Sequence, residues 1–438
     1  MGMALSLLPN DELNLFNVKK YGAAGDGVTN DATAINAANT AAAAVGGNGG
    51  TVYFPPGTYY IASTLTLTAN VLGNQAQVNT DQNITAIQLG DGTNYLRDKK
   101  IHLPRLKDTS KTGTGWSGAS IGVKLVNVYE CEIHTSQIEN FVTGLLLTTS
   151  GAKGTAYNQI HLGPLDDNKV QVKLAPVDTS GWVNENVFHG GRFGWNTAEG
   201  TAVAGTRDIH IVTYSDAAAN ICNNNRFYAP SLEGDVPEYH VDIFGGWNYI
   251  RDARWEAITP KVNFTSLSST VYSARNIIQG GYNAESIVYT ADSNTKHNVY
   301  HDDIMWAELT VTHDEFIALN STPLTIVPAP GANKTFNVLG MMGVYNYGGT
   351  TTYTHAGSVV CAYLGSTALT QATVGTANFH TSTAIAMKFG GAASNVNIRN
   401  NDALVIWASS ANPTDGHSSN SFKFRVYYRI VPWLLAQQ

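Results

Sequence analysis

Charge is scarce in this sequence. Asp, Glu, Lys and Arg make up 13% of 438 residues, and the balance is −7 at pH 7. So thin and negative a surface charge does not attract nucleic-acid phosphates or an anionic bilayer, and neither is expected as a partner. Cysteine is nearly absent. Cys131, Cys222 and Cys361 are odd in number and widely spaced, which argues against a disulfide framework or a cysteine metal cluster and reads as three small buried hydrophobes. No apolar run approaches the ~20 residues that cross a bilayer, so membrane insertion is not expected. The first residues lack the basic start and continuous apolar core of a secretory signal, so export by that route is not expected either.

What is present points to strands and turns. Glycine is abundant at 42 residues, hydrophobics reach 43%, and Asn, Thr and Ser fill the space that charge leaves. That much apolar content argues against disorder. The length accommodates two domains, or one long repeat domain with an appendage.

The stretch Phe16 to Leu67 organises the rest. A short strand (Phe16-Asn17-Val18) runs into a turn with Gly22, Gly25 and Gly27 within six residues, a density that implies positive φ and tight reversal. Thr29, Asn30 and Asp31 offer helix N-caps ahead of an alanine-rich run from Ala32 to Val45, with Ile35, Ala38 and Ala42 on one stripe. The cluster Gly46-Gly47-Asn48-Gly49-Gly50 ends it, and Val52, Phe54, Tyr59 and Ile61 resume strand chemistry around the turn Pro55-Pro56-Gly57.

Val18-Lys19-Lys20-Tyr21 through Asp31, and Gly49-Gly50-Thr51-Val52 through Tyr59, closely resemble the N-terminal signature of the pectate-lyase-like superfamily, especially its phage tailspike and polysaccharide depolymerase branch. The likeness covers about an eighth of the chain. It implies an all-β fold: a right-handed parallel β-helix whose N-terminal end is covered by the alanine-rich helix. It implies no catalytic residue.

Short apolar alternations over Ile121 to Thr149 read as successive coil strands. The tripeptide Asn-x-(Phe/Ile/Tyr) then recurs at Asn158, Asn186, Asn225, Asn248, Asn276 and Asn298, at intervals fitting one solenoid coil with occasional loop insertions. These asparagines are expected to stack as a buried hydrogen-bonding ladder, with the residue two positions on pointing into the core. Six and eight residues beyond each ladder position lie two outward columns. One holds Arg192, Ser231 and Arg254; the other holds Asp166, Glu233 and Glu256. Past Asp314 the composition changes: residues 316–438 carry +4, leaving −11 for the rest. Short strands at Ser358 to Tyr363, Ala384 to Phe389, Ala403 to Ala408 and Ser421 to Val431 read as an antiparallel β-sandwich. The expected division is 1–67 for the N-terminal strand, capping helix and first coils, 68–315 for the β-helix and 316–438 for the sandwich, to which the resemblance gives a role in trimerisation or glycan contact.

Glycoside hydrolysis needs two carboxyl groups flanking a sugar. Glu233 and Glu256 are the leading pair, with Asp235 and Asp252 as nearby substitutes. Tyr228, Trp247, Trp255, Trp195 and Tyr282 offer aromatic faces, and Arg192 and Arg254, with His189 beside them, offer polar contacts to an acidic sugar. An outward ion-pair stack competes with the catalytic reading of the glutamates. A lyase would instead draw its base from groups such as His189, Arg192, Tyr239 or His240. Asp166-Asp167 and Asp302-Asp303 fall far short of a calcium sphere, so no metal is expected, and no cofactor. The Gly46 to Gly50 cluster closes a helix rather than opening one, unlike a phosphate loop, and no Gly-x-Ser-x-Gly element is present. The resemblance thus implies a tailspike-like depolymerase, a homotrimer on a phage virion or outside the cell, acting on a bacterial surface polysaccharide (capsule, exopolysaccharide or O-antigen). The alternatives are a polysaccharide lyase and a non-catalytic receptor-binding spike.

Overall fold

A computed structural model describes residues 14–46, 49–111, 115–177, 179–195, 202–213, 221–265, 273, 275–291, 299–301, 305–354, 357–375, 385–391 and 399–432. Two compact units divide the chain, Met1–Tyr300 and His301–Gln438.

The first unit is a right-handed parallel β-helix. Its described strands form parallel sheets of eighteen, nine and five. The eighteen-stranded sheet folds into two columns, because single strands such as Gln159–Asp166 and Val187–Gly194 run round its corner. One residue of each pair points inward, so the core is a set of stacks. Ile101, Ile133, Ile160, Phe188, Phe227, Ile250 and Ile278 make one, all but closed to solvent. Within it the rings of Phe188 and Phe227 lie parallel at 4.2 Å.

The asparagine ladder is present. Asn158 donates through Nδ2 to Asn186 Oδ1 (2.8 Å), Asn186 to Asn225 (3.0 Å), Asn225 to Asn248 (3.1 Å) and Asn248 to Asn276 (3.2 Å). Each acceptor oxygen also takes the backbone N–H of the preceding rung. Asn298 lies outside the described residues. Before every rung stands a residue in the left-handed region: Tyr157, Glu185, Asn224, Trp247 and Arg275, with φ between 53° and 61°. That conformation costs roughly 1–2 kcal/mol for an L-residue, and the ladder bonds offset it. Cys131 holds the next rung towards the N-terminus, where its sulfur accepts from Lys99 N (3.4 Å) and its N–H donates to Asn158 Oδ1. All three cysteines are free and buried, as their sparseness predicted.

The alanine-rich helix forms over Ala32–Ala43 and buries Ile35, Ala38 and Ala42. Its capping is chemical as well as steric. Leu65–Leu67 is the edge strand of the nine-stranded sheet, and Asn36 and Asn39 on the helix meet its free backbone groups. Asn36 Oδ1 accepts from Thr66 N (3.0 Å), while Asn39 accepts from Thr68 N (2.9 Å) and donates to Thr66 O (3.0 Å). The exposed edge is thereby satisfied by side chains. Asp31 does not cap the helix with its carboxylate. It accepts instead from Ala24 N and Gly25 N and pins the glycine turn, while Asn30 accepts from Ala32 N.

The second unit is an antiparallel sandwich of two four-stranded sheets with a small two-stranded ribbon. Tyr345, Tyr353, Phe316, Phe422 and Phe424 centre its core. Strands Ser358–Tyr363, Ile385–Gly391, Leu404–Ala408 and Ser421–Pro432 stand where the sequence placed them. Met305–Val311 pairs antiparallel with Ser421–Pro432, so it belongs to this unit and not to the solenoid, ahead of the boundary expected at 315/316. The cue near Asp314 is a capped helix inside the sandwich unit: Thr312 and Glu315 form a reciprocal capping box.

Candidate active site on the outward carboxylate column

Register brings the two glutamates together. Ser231–Glu233 pairs with Arg254–Glu256, so Glu233 and Glu256 are partners on adjacent coils, about 4.8 Å apart at the backbone. Arg192 lies one coil earlier, opposite Ser231. Glu139, Asp166 and Gly194 continue the glutamate column towards the N-terminus.

Each glutamate has its own arginine. Arg192 Nη1 donates to Glu233 Oε2 (3.1 Å), Ser231 Oγ donates to Glu233 Oε1 (3.2 Å), and Arg254 pairs with Glu256. Arg192 also reaches back to Asp166 Oδ1 (2.5 Å), so one guanidinium joins carboxylates two coils apart. The Asp166 side chain is 2% exposed and takes a further bond from Gln137 Nε2 (2.9 Å). Burial pushes its carboxyl up from the usual range, against the pull of Arg192. Gly194 makes this possible. A Cβ there would overlap Asp166 Oδ1 and sit 2.8 Å from Arg192 Nη1.

A loop after Asp108 walls the column on one side. Trp116 Nε1 donates to Asp167 O (2.8 Å), and Lys111 Nζ lies 4.3 Å over the Trp116 ring while donating to the same carbonyl (3.2 Å). Burial lowers the Lys111 ammonium, opposed by Asp167 and Glu139. Trp116 meets Trp195 edge to face at 6.1 Å. Trp195 Nε1 in turn donates to Asp208 Oδ1 (2.9 Å). Asp208 is fully buried, its other oxygen has no hydrogen-bond partner among the described residues, and burial drives its carboxyl well above the ordinary range. A cavity of about 260 Å³ lies against this loop, lined by Asp108, Ser110, Lys111, Trp116, Ser120 and Asn140.

The other expected site residues take varied positions. Trp255 points into the core at 0% exposure and offers no face to a sugar, because it occupies the inward position between Arg254 and Glu256. Trp247 sits on the left-handed turn column, beneath Arg275. Tyr282 is exposed, with Arg254 5.7 Å from its ring. Asp252 occupies a left-handed corner paired with Arg251, and Asp235 accepts from Ile258 N and Thr259 N, so both serve local turns. His240 is buried with both ring nitrogens engaged, to Gly234 O and Lys261 N, and Tyr239 lies beside Arg207 on the nine-stranded sheet. Neither is placed as a base beside the glutamates. Asp166 and Asp167 are held by Arg192 and Lys111, and Asp302-Asp303 lie outside the described residues.

His189 and Tyr228 belong to the neighbouring outward column. There His102, His134, His161 and His189 stack with ring centroids 4.3, 4.3 and 4.8 Å apart, and Tyr228 follows at 6.1 Å. Burial, then the facing His134, lowers the His102 and His161 imidazoles. Lys111, Trp116, Asp208 and this stack were missed from sequence. The stack had a signal, because each histidine follows an inward Ile or Phe of the coil repeat.

Comparison with known proteins agrees with the fold. The family described as Rhamnogalacturonase A/epimerase, pectate lyase-like, matches residues 15–231. A mannuronan C5-epimerase, AlgE6 of Azotobacter vinelandii, is 40% identical over 105 residues, 22% of this chain and 11% of that protein. A non-secreted LysM effector, LysM15 of Penicillium expansum, is 48% identical over 56 residues, 11% of this chain and 4% of its own. The chain therefore spans about a tenth or less of the length of these curated relatives. Among solved structures, ORF18 of Geobacillus virus E2 superposes with a TM-score of 0.50 at 16% identity, covering 93% of this chain and 80% of that one, a likeness of fold. Its glycine turn, its helix cap and the coils as far as Ser231 make up the part of the chain that the pectate-lyase-like family matches.

Proposed function

We propose that the protein is a tailspike-like depolymerase of a bacterial surface polysaccharide, cleaving glycosidic bonds at the Glu233–Glu256 column. The observation that carries this reading is the in-register pairing of two outward glutamates on adjacent coils, each with its own arginine, and with Trp195 close to Gly234 beside them. Like carboxylates stacked at coil spacing repel, and Arg192 and Arg254 offset that repulsion. Hydrolysis then needs a substrate to displace one arginine, so that one glutamate, freed and desolvated beneath a sugar, takes up a proton and acts as acid while its partner acts as base or nucleophile. Asp166 anchors Arg192 from behind and is a positioning residue.

The virion location, the homotrimer and a role for the sandwich in trimerisation or glycan contact belong to the same proposal, and the likeness in fold to a protein of Geobacillus virus E2 bears on the first of them alone. Incubation with capsule and O-antigen extracts tests it. New reducing ends without ultraviolet absorbance are expected, and Glu233→Gln and Glu256→Gln should each abolish them while the sedimentation of the assembly is unchanged. An absorbing unsaturated end would replace hydrolysis by lyase chemistry. Binding without any new end would make the protein a receptor-binding spike. Full activity in both variants would remove this site.

A further inference from the structure

The histidine stack carries a feature that polysaccharide cleavage does not use. Glu132–His134 and Gln159–Asp166 are neighbouring parallel strands, with Glu132 opposite Gln159 and His134 opposite His161. All three side chains of Glu132, His134 and His161 point outward, and one ligand atom from each lies within 4.8 Å of the other two. The Glu132 Oε1 and His134 Nε2 atoms are already 3.0 Å apart. The rings of His134 and His161 are nearly parallel, at 8°.

We propose that Glu132, His134 and His161 form a binding site for a divalent transition-metal ion of the Zn²⁺ class. Two imidazoles and one carboxylate are the donor set such ions take, with M–N and M–O distances of about 2.0–2.2 Å. Tetrahedral ligands at that distance stand roughly 3.4 Å from one another, so the His134 and His161 rings need only tilt from parallel for their nitrogens to close on one ion. Coil spacing supplies the rest, since a parallel β-helix sets equivalent side chains about 4.8 Å apart without further design. The carboxylate reduces the ion's charge, and a fourth position is left to water because Glu132 is exposed and both rings are half-buried. His189 Nε2 lies 2.9 Å from Gln159 Oε1, so that nitrogen is already engaged outside the set. Bound metal would tie two successive coils together through side chains.

The site stands whether or not the chain cleaves a glycan.

Untagged full-length protein, stripped with chelator, is titrated with Zn²⁺ by calorimetry and with Co²⁺ by visible absorption. One Zn²⁺ per chain is expected, together with a ligand-field spectrum for Co²⁺ and a higher Tm in excess Zn²⁺. His134→Ala and His161→Ala should each weaken Zn²⁺ by at least 10–100-fold, the loss that even an outer-shell partner causes. His102→Ala, next in the stack but outside the ligand set, should bind as wild type. Circular dichroism of each variant guards against misfolding. Wild-type protein that takes up neither ion at millimolar concentration, or equal binding by wild type and the His134 and His161 variants, would overturn the assignment. Loss in His102→Ala as large as in the other two would overturn the ligand set.

Discussion

Arg192 and Gly194 stand two residues apart on one strand, and the missing side chain of the second lets the first reach Asp166. Gly194→Ala places a methyl group in the space that the Arg192–Asp166 pair occupies. Asp166 then stays buried without its cation, which should cost about 2–3 kcal/mol in denaturant unfolding. Under the proposed function the same variant lowers cleavage, because Glu233 loses a held guanidinium. Unchanged stability would mean that the pair contributes nothing.

The ladder predicts a contrast between two rungs. Asn186→Ala strips the N–H and Nδ2 groups of Asn158 of their acceptor and the carbonyls of Thr155 and Asn184 of a donor, three of the four bonds being buried. A loss of about 3–5 kcal/mol is expected. Cys131→Asn should do the reverse. Leu96 O is the register equivalent of Val128 O, which accepts from Asn158 Nδ2, and it lies 3.6 Å from the Cys131 sulfur. An asparagine there extends the ladder by one rung and should leave stability unchanged or raise it by up to ~1 kcal/mol, read from the shift in Tm.

Acidification should weaken the solenoid between two defined limits. Burial lowers the His240 imidazole from 6.5 to about 4, with Asp235 pulling it up and Lys261 pushing it down. Between those values the unfolded chain binds a proton that the folded chain refuses, so stability rises with pH from about 4 to about 6.5 and then levels off. The contribution lost on the acid side is about 3 kcal/mol. Urea unfolding at successive pH values measures it, and His240→Gln should flatten that part of the profile.

Trp116 and Lys111 test the groove wall without touching the glutamates. If a glycan lies along the column, Trp116→Ala should weaken its binding to the full chain by about tenfold or more, while circular dichroism is unchanged. Wild-type affinity in this variant would place the glycan elsewhere.

Local chemistry determined a good deal from sequence alone. Gly22, Gly25 and Gly27 take positive φ, Ala32–Ala43 is helical, and the asparagines stack, because each of these depends on a residue's own backbone preference or on a repeat in the chain. The coil register was legible for the same reason, and with it the meeting of Glu233 and Glu256. Tertiary structure decided which side of the strand each neighbour faces and what a loop brings over it. Trp255 and Glu256 are adjacent in sequence, yet one is core and the other surface, since side chains alternate across a strand. Lys111 and Trp116 reach Asp167 from more than fifty residues away. Such a contact leaves no periodic trace, because the loop that makes it is an insertion between coils and only its folded path selects its neighbours.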